Sequence, residues 1–266
     1  MIAALRRIWG LIYRHLCLYR RSWPRVLELA YWPTLELLIW GFTAQFVMKG
    51  HADVAIRTAG ALIGGVLLWE VALRAQMGVT ISFLEEIWSR NLGHVFVSPL
   101  RPREMVLALL GVSVLRTVVG LTPAAGIAFF LYEFSIFTFG LALILFVANL
   151  FLMGWWLALG VISLLFRYGA SAEALAWTLA FGLTPVACVF YPVSVLPPWL
   201  RPVAEALPAA HIFAGMRTAL YHHKTDIGQL AIAAGLNLFW MGCAGLIFAL
   251  QFRAARRSGA LVTIGE

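Results

Sequence analysis

Charge is what this sequence has least of. Only 12% of its 266 residues are Asp, Glu, Lys or Arg, about half the fraction in an average soluble domain. Apolar residues make up 62%, more than a soluble fold of this size can hide. A hydrocarbon core about 30 Å thick takes roughly 20 apolar residues per helix, so the length admits several crossings with short connections. Cysteine is scarce too. Cys17, Cys188 and Cys243 stand far apart with no Cys-x-x-Cys pair, which speaks against a disulfide framework and against a zinc site. No cleavable leader is apparent, because Arg14, Arg20, Arg21 and Arg25 interrupt the first apolar stretch, and this segment is expected to stay in the mature protein. Gly-x-x-x-x-Gly-Lys-Ser/Thr, Gly-x-Ser-x-Gly and His-Glu-x-x-His are all missing. The chain therefore has no phosphate-cradling loop of its own, and neither a catalytic residue nor a metal site is assigned. His222 and His223 are adjacent and point apart on a helix, which makes them poor joint ligands. With no fixed repeat and no low-complexity linker, residues 1–266 read as one domain.

What is present is apolar and helical in period, an all-α pattern. From Ile2 to Trp23, Leu5, Ile8, Trp9, Ile12, Tyr13, Leu16 and Tyr19 recur at spacings of three and four with arginines between them. This predicts an amphipathic helix over residues 1–25, either lying in the membrane interface or packed on a protein partner. Six apolar stretches follow, Val26 to Met48, Thr58 to Ile81, Met105 to Leu131, Phe134 to Phe166, Ala174 to Tyr191 and Ile227 to Phe252, each predicted to span the bilayer. The fourth is longer than one crossing needs, so it tilts or opens with an interfacial turn. With the N-terminus inside, 13 of the 20 basic residues fall on the cytoplasmic side and five, Lys49, Arg57, Arg201, Arg217 and Lys224, on the outer side. That asymmetry places both termini in the cytoplasm and explains the basic balance without nucleic acid.

Two connections carry more than turn signals. Residues 82–104 contain a polar stretch from Phe83 that predicts a short helix, then an extended run broken by Pro99 and Pro102. Residues 190–226 hold a proline-divided pair of short helices, too apolar for a free loop and too short to span. Glu85 and Glu86 followed by Val97-Ser98-Pro99-Leu100-Arg101 form the first motif. Tyr191, Pro192, Leu196, Pro197, Trp199, Leu200, Pro208, His211 and Arg217 form the second. In this order, between these spans, they resemble the permease subunits of type-2 ABC exporters, the group that moves O-antigen and capsular polysaccharides, nodulation factors and drugs. One departure is Trp88-Ser89-Arg90-Asn91, where relatives carry a Gly-Thr-rich continuation.

The resemblance implies a cytoplasmic coupling helix at which Glu85, Glu86, Trp88, Arg90 and Asn91 dock an ATPase subunit, against the plainer reading of a solvated loop helix. It implies an outer re-entrant gate segment that includes Tyr191, Pro192, Pro197, Trp199, His211 and Arg217. The implied assembly has two ATPase copies and a second permease copy as a homodimer, set in the lipid of the cytoplasmic (inner) membrane. ATP and Mg would be bound by the partner alone, with no cofactor in this chain, and an amphipathic or lipid-linked cargo would leave the cell. Ionisable residues inside spans mark protein-facing or water-lined positions. Glu70 and Arg74, four apart, are expected to pair. Glu36 and Arg116 either pair with each other or line the route. Gly60 and Gly64 have the spacing of a close helix contact. The rival class, a self-sufficient channel or an intramembrane enzyme, needs a polar pore or a catalytic cluster, and the spans offer few candidates for either.

Overall fold

The computed structural model describes residues 2–48, 52–91, 93 and 98–258. Lys49, Leu92, His94 to Val97 and everything from Gly259 onward lie outside the described residues, and with them the first residue of the Val-Ser-Pro-Leu-Arg motif. Helix α1 covers Ile2–Arg21, α2 Trp23–Met48, α3 Ala52–Trp88, α4 Pro102–Tyr132, α5 Ala142–Tyr168, α6 Glu173–Gly182, α7 Arg201–Glu205, α8 Pro208–His222 and α9 Ile227–Ser258. Short 3-10 turns at Ile136–Phe139, Gly169–Ala172 and Val193–Val195 join them. Four of these helices, α3 from Ala59 onward, α4, α5 and α9, are long and apolar enough to cross a membrane. Helix α2 has the length, 26 residues, but carries Arg25, Glu28 and Glu36 along its run.

Helix α3 is the axis of the bundle. Its most apolar stretch is 89% buried, whereas that of α9 is only 22% buried. Leu68, Trp69 and Ala72 of α3 pack with Phe146, Leu150 and Met153 of α5 and with Ile212 and Phe213 of α8. At 37 residues α3 is about 55 Å long, well beyond the hydrocarbon thickness, so one end must project. Where α3 crosses α5 the backbones nearly touch: a Cβ on Gly154 would stand 2.6 Å from the Ala72 carbonyl oxygen. Small residues bring membrane helices together in this way. Gly64 meets Phe134 and Phe139, and Gly60 meets Phe134, so the Gly-x-x-x-Gly pair serves aromatic packing and not a backbone crossing. The outside of the bundle is greasy, with Phe130, Leu141, Phe137 and Leu238 exposed. That is the surface a helical protein presents to lipid.

The structure revises two expectations and decides between the alternatives of a third. No separate polar helix starts at Phe83, because α3 runs unbroken through to Trp88. The fourth apolar stretch does open with a turn, Ile136–Phe139, before α5 begins at Ala142. The fifth, expected as one helix from Ala174 to Tyr191, is α-helical only to Gly182 and continues in turns. Pro185 lacks an N–H, and Cys188 takes a left-handed φ of 55°, so the helix cannot continue. The chain then folds back through α7 and α8 before α9 returns to the first end, where Arg253 and Arg256 share a cleft with Pro102 and Arg103.

Candidate functional site

The C-terminal end of α3 is braced by α1. Arg7 donates to both carboxylate oxygens of Glu104 at 2.9 and 2.6 Å, and Arg14 reaches both oxygens of Glu86 at 2.6 and 2.8 Å. Arg25 lies 3.8 Å from Glu85, and His15 sits 3.6 Å from Glu85 and from Glu86. Contacts run in step from Arg7 at Glu104 through Ile12 at Gly111 to Tyr19 at Arg116. Helix α1 therefore lies lengthwise on α4, in the same direction. Arg7 and Arg14 turn inward to carboxylates while Leu5, Trp9 and Tyr13 stay 59% exposed. Such an outward apolar face suits a helix bathed in lipid and would be unfavourable in water.

The five residues expected to dock an ATPase divide by direction. Glu86 is buried and Glu85 half-buried, and Asn91 donates to Glu86 at 2.8 Å, so these three face the brace. Trp88, Ser89 and Arg90 are exposed. Arg90 takes φ 52°, and the Asn91 N–H returns to the Glu86 carbonyl at 3.0 Å, the Schellman arrangement that closes a helix. Beyond it, Ser98 and Pro99 form the rim of a cleft of about 350 Å³ against α1, lined also by Arg7, Arg14 and Leu100. Pro102 opens α4, and Glu104 three residues after Arg101 accepts the Arg101 N–H at 3.0 Å.

Glu104 therefore has two roles, cap and brace. The Arg7 guanidinium, and after it the Arg101 N–H, hold its carboxyl down to about 2. A carboxylate depressed on folding adds stability that is whole above its unfolded value of 4.5 and disappears as pH falls through 2. The Arg7 end of α1 is thus expected to stay docked above 4.5 and to loosen between there and 2. The mobility of a spin label replacing Ile8 in a chain lacking Cys17 reports this, and label mobility that rises already near neutral pH contradicts it.

Inside the bundle, Arg74 donates to Glu70 at 2.8 Å, the expected pair. Glu36 on α2 faces Glu70 and Arg74, not Arg116. Arg116 instead donates to the Ser82 hydroxyl at 3.1 Å and lies over the Tyr19 ring at 5.2 Å. A second buried polar knot escaped the sequence reading. Asn237 donates to the Asn149 carbonyl and side-chain oxygens at 2.9 and 3.1 Å, and Trp156 donates to Asn237 at 3.0 Å. Lone amides in the middle of two apolar runs were the available signal.

At the far end the proline-rich segment is knitted to the broken α6. Arg217 donates to the Cys188 carbonyl at 2.9 Å, supplying a cation where the broken helix exposes a carbonyl. The Tyr191 hydroxyl bonds the Pro185 carbonyl at 2.5 Å. Arg201 donates to the carbonyls of Leu196 and Ser194, both at 2.9 Å. His211 bridges Gln229 of α9 and the Glu205 carbonyl at 2.7 and 3.0 Å. Pro192 and Pro197 flank the Val193–Val195 turn, and Trp199 projects, 74% exposed. Among the described residues no three His, Cys, Asp or Glu side chains gather as metal ligands.

These features define a polytopic helical membrane protein with a braced loop at one end of its bundle and a broken helix tied to short helices at the other. A sequence model of the ABC-2 type transporter family matches residues 6–221, from the brace to the end of α8, and the chain belongs to that family. It is the membrane component, the permease, of an ABC-type transporter. No curated protein matches the chain.

Proposed function

We propose that the chain is the membrane-spanning subunit of an ATP-driven exporter of the inner membrane, working as two copies above two copies of a separate ATPase. The observation that carries this reading is the brace. Ion pairs tie α1 to the C-terminal end of α3 and the start of α4, so a push on residues 89–101 moves three helices as one lever. Trp88 and Arg90 offer the ATPase an aromatic and a charged anchor, and the cleft beside Ser98 and Pro99 receives its surface. Glu85, Glu86 and Asn91 transmit the push through α1 without touching the partner. The permease itself binds neither ATP nor Mg.

Six crossings fit this architecture: α2, α3, α4, α5, the broken passage through residues 169–191, and α9. An even number agrees with Leu11 of α1 and Ala255 near the end of α9 sharing one buried cluster. Arg90, Arg101, Arg103, Arg253 and Arg256 also cluster there, the arrangement of a cytoplasmic face. The segment from Tyr191 to Arg217, tied to the break in α6, closes the outer end as a gate. Between α2, α3, α4 and α6 a narrow crevice of about 40 Å³ is lined by Trp32, Trp177, Phe181, Arg74 and Arg116. Its aromatic faces and guanidinium groups suit an amphipathic or lipid-linked cargo moving outward along the seam between two copies. A cysteine replacing Ser194 is expected to react with an impermeant maleimide on intact cells and one replacing Ser89 only after lysis. The reverse pattern overturns this topology.

A further inference from the structure

A groove of about 600 Å³ runs between α4 and α9 from the end of the bundle where the brace lies. Helix α4 packs on α3 and α9 on α5, and the gap left between α4 and α9 is floored by Leu159 of α5. Its walls are apolar, with Val106 and Leu107 on one side and Gly245, Phe248, Ala249 and Phe252 on the other. Gly245 leaves it wide, since a Cβ built there meets nothing within 4 Å. At one end stand Arg103, from the first turn of α4, and Arg253 and Arg256, from the last two turns of α9, all three exposed. Among the described residues no acidic side chain lines the groove. Glu104, next to Arg103 in sequence, is buried and held by Arg7 and the Arg101 N–H.

A groove that is cationic at one end and apolar along the rest has the polarity of a phospholipid laid lengthwise. From Arg256 to Gly245 the α9 wall runs about 16 Å, roughly half of a 30 Å hydrocarbon core and so the depth of one leaflet. We propose that this groove holds an anionic phospholipid, its phosphate between Arg103, Arg253 and Arg256 and an acyl chain along Leu159, Phe248 and Ala249. Charge complementarity selects the headgroup. Three like charges from two helices converge on one end of the groove, and guanidinium forks match phosphate oxygens, as in basic pockets between membrane helices. Inorganic phosphate matches the arginines alone and gains nothing from the apolar wall. The bound lipid would link the end of α9 to the start of α4, which Glu104 already ties to α1, and so would join α9 to the lever. This rests on the bundle spanning the bilayer with this end at a headgroup layer. The binding test needs neither transport nor the ATPase, so its failure leaves the exporter reading standing.

The full chain, delipidated in detergent, is titrated with phosphatidylglycerol, phosphatidylcholine and inorganic phosphate and followed by native mass spectrometry. Phosphatidylglycerol is expected to bind one per chain, about tenfold more tightly than phosphatidylcholine, the worth of a charge-assisted hydrogen bond. Arg253→Gln combined with Arg256→Gln should bring the two lipids to equal affinity. Arg20→Gln combined with Arg21→Gln removes two exposed cations of α1 that do not line the groove, and should leave the preference intact. Gly245→Trp fills the groove from α9, where a built Cβ has open space. It should weaken phosphatidylglycerol about tenfold, the worth of roughly two buried methylenes, while the thermal midpoint of the delipidated protein stays at the wild-type value. Equal affinity of the wild type for the two lipids, or the same loss of preference from the α1 pair, overturns the proposal. So does inorganic phosphate binding as tightly as phosphatidylglycerol, a folded Gly245→Trp protein with unchanged affinity, or a dimer that excludes the lipid because a second copy fills the groove. Should the Arg253 and Arg256 double variant fail to fold, Gly245→Trp decides.

Discussion

Gly154→Leu is expected to yield no folded protein, and Gly154→Ala to lower stability by about 2 kcal/mol, the middle of the range for overpacking a close contact. A Cβ at this position meets the Ala72 carbonyl oxygen and the Ala75 methyl at 2.6 Å and the Gln76 nitrogen at 2.9 Å. Two of these three atoms are backbone, so no rotamer change relieves the clash. Helices α3 and α5 have to separate, and they carry the largest buried cluster of the bundle, with Leu68, Phe146, Leu150 and Met153 at its centre. Gly160 supplies the control six residues further along the same helix, where nothing lies within 4 Å of a built Cβ. Thermal unfolding in one detergent should show Gly160→Ala at or above wild type, since alanine is the better helix former. Equal midpoints for the two alanine variants would mean that the crossing is looser than described.

Arg14→Met is the second large effect. It leaves the Glu86 carboxylate, only 2% exposed, with the Asn91 amide as its remaining hydrogen-bond donor. Breaking a buried pair from one side costs about 3 kcal/mol, taken at the low end because Arg14 itself is partly exposed. The same change is expected to uncouple α1 from α3 and to depress transport. A neutral partner should repair the stability: Arg14→Met with Glu86→Gln removes the stranded charge, and the double variant should regain most of what the single one lost. If the two losses simply add, the pair does not couple α1 to α3. A variant that recovers stability yet still fails to transport would separate the lever role from the structural one.

Much of the scaffold was legible in the chain because helical period and apolar run length are local properties. The amphipathic α1, the long runs of α2 to α5 and α9, and the i,i+4 pair of Glu70 and Arg74 follow from residues within a few positions of one another. What stayed hidden depends on distant partners. Nothing near Glu86 in sequence says that Arg14 will hold it, and the two are 72 residues apart. Acidic residues beside a loop read as a docking surface, whereas the carboxylates turn inward and leave Trp88 and Arg90 facing out. The break in the fifth run was readable from Pro185, yet the apolar composition around it outweighed a single proline. Gly154 shows the limit of spacing rules: the close crossing uses one glycine against Ala72 and Ala75, and the Gly60 and Gly64 pair faces phenylalanine rings instead. Arg116 could be flagged as costly from its setting, but not placed against Tyr19 without the fold.

The central claim is that an ATPase grips the braced end of the bundle. Photo-crosslinking from an unnatural residue at position 90, performed in native membranes and followed by mass spectrometry, tests it most directly. The account predicts an adduct with a protein that carries the Gly-x-x-x-x-Gly-Lys-Ser/Thr loop this chain lacks, and no such adduct from position 199. An ATPase captured from position 199, or none captured from position 90 while the protein transports, would contradict it.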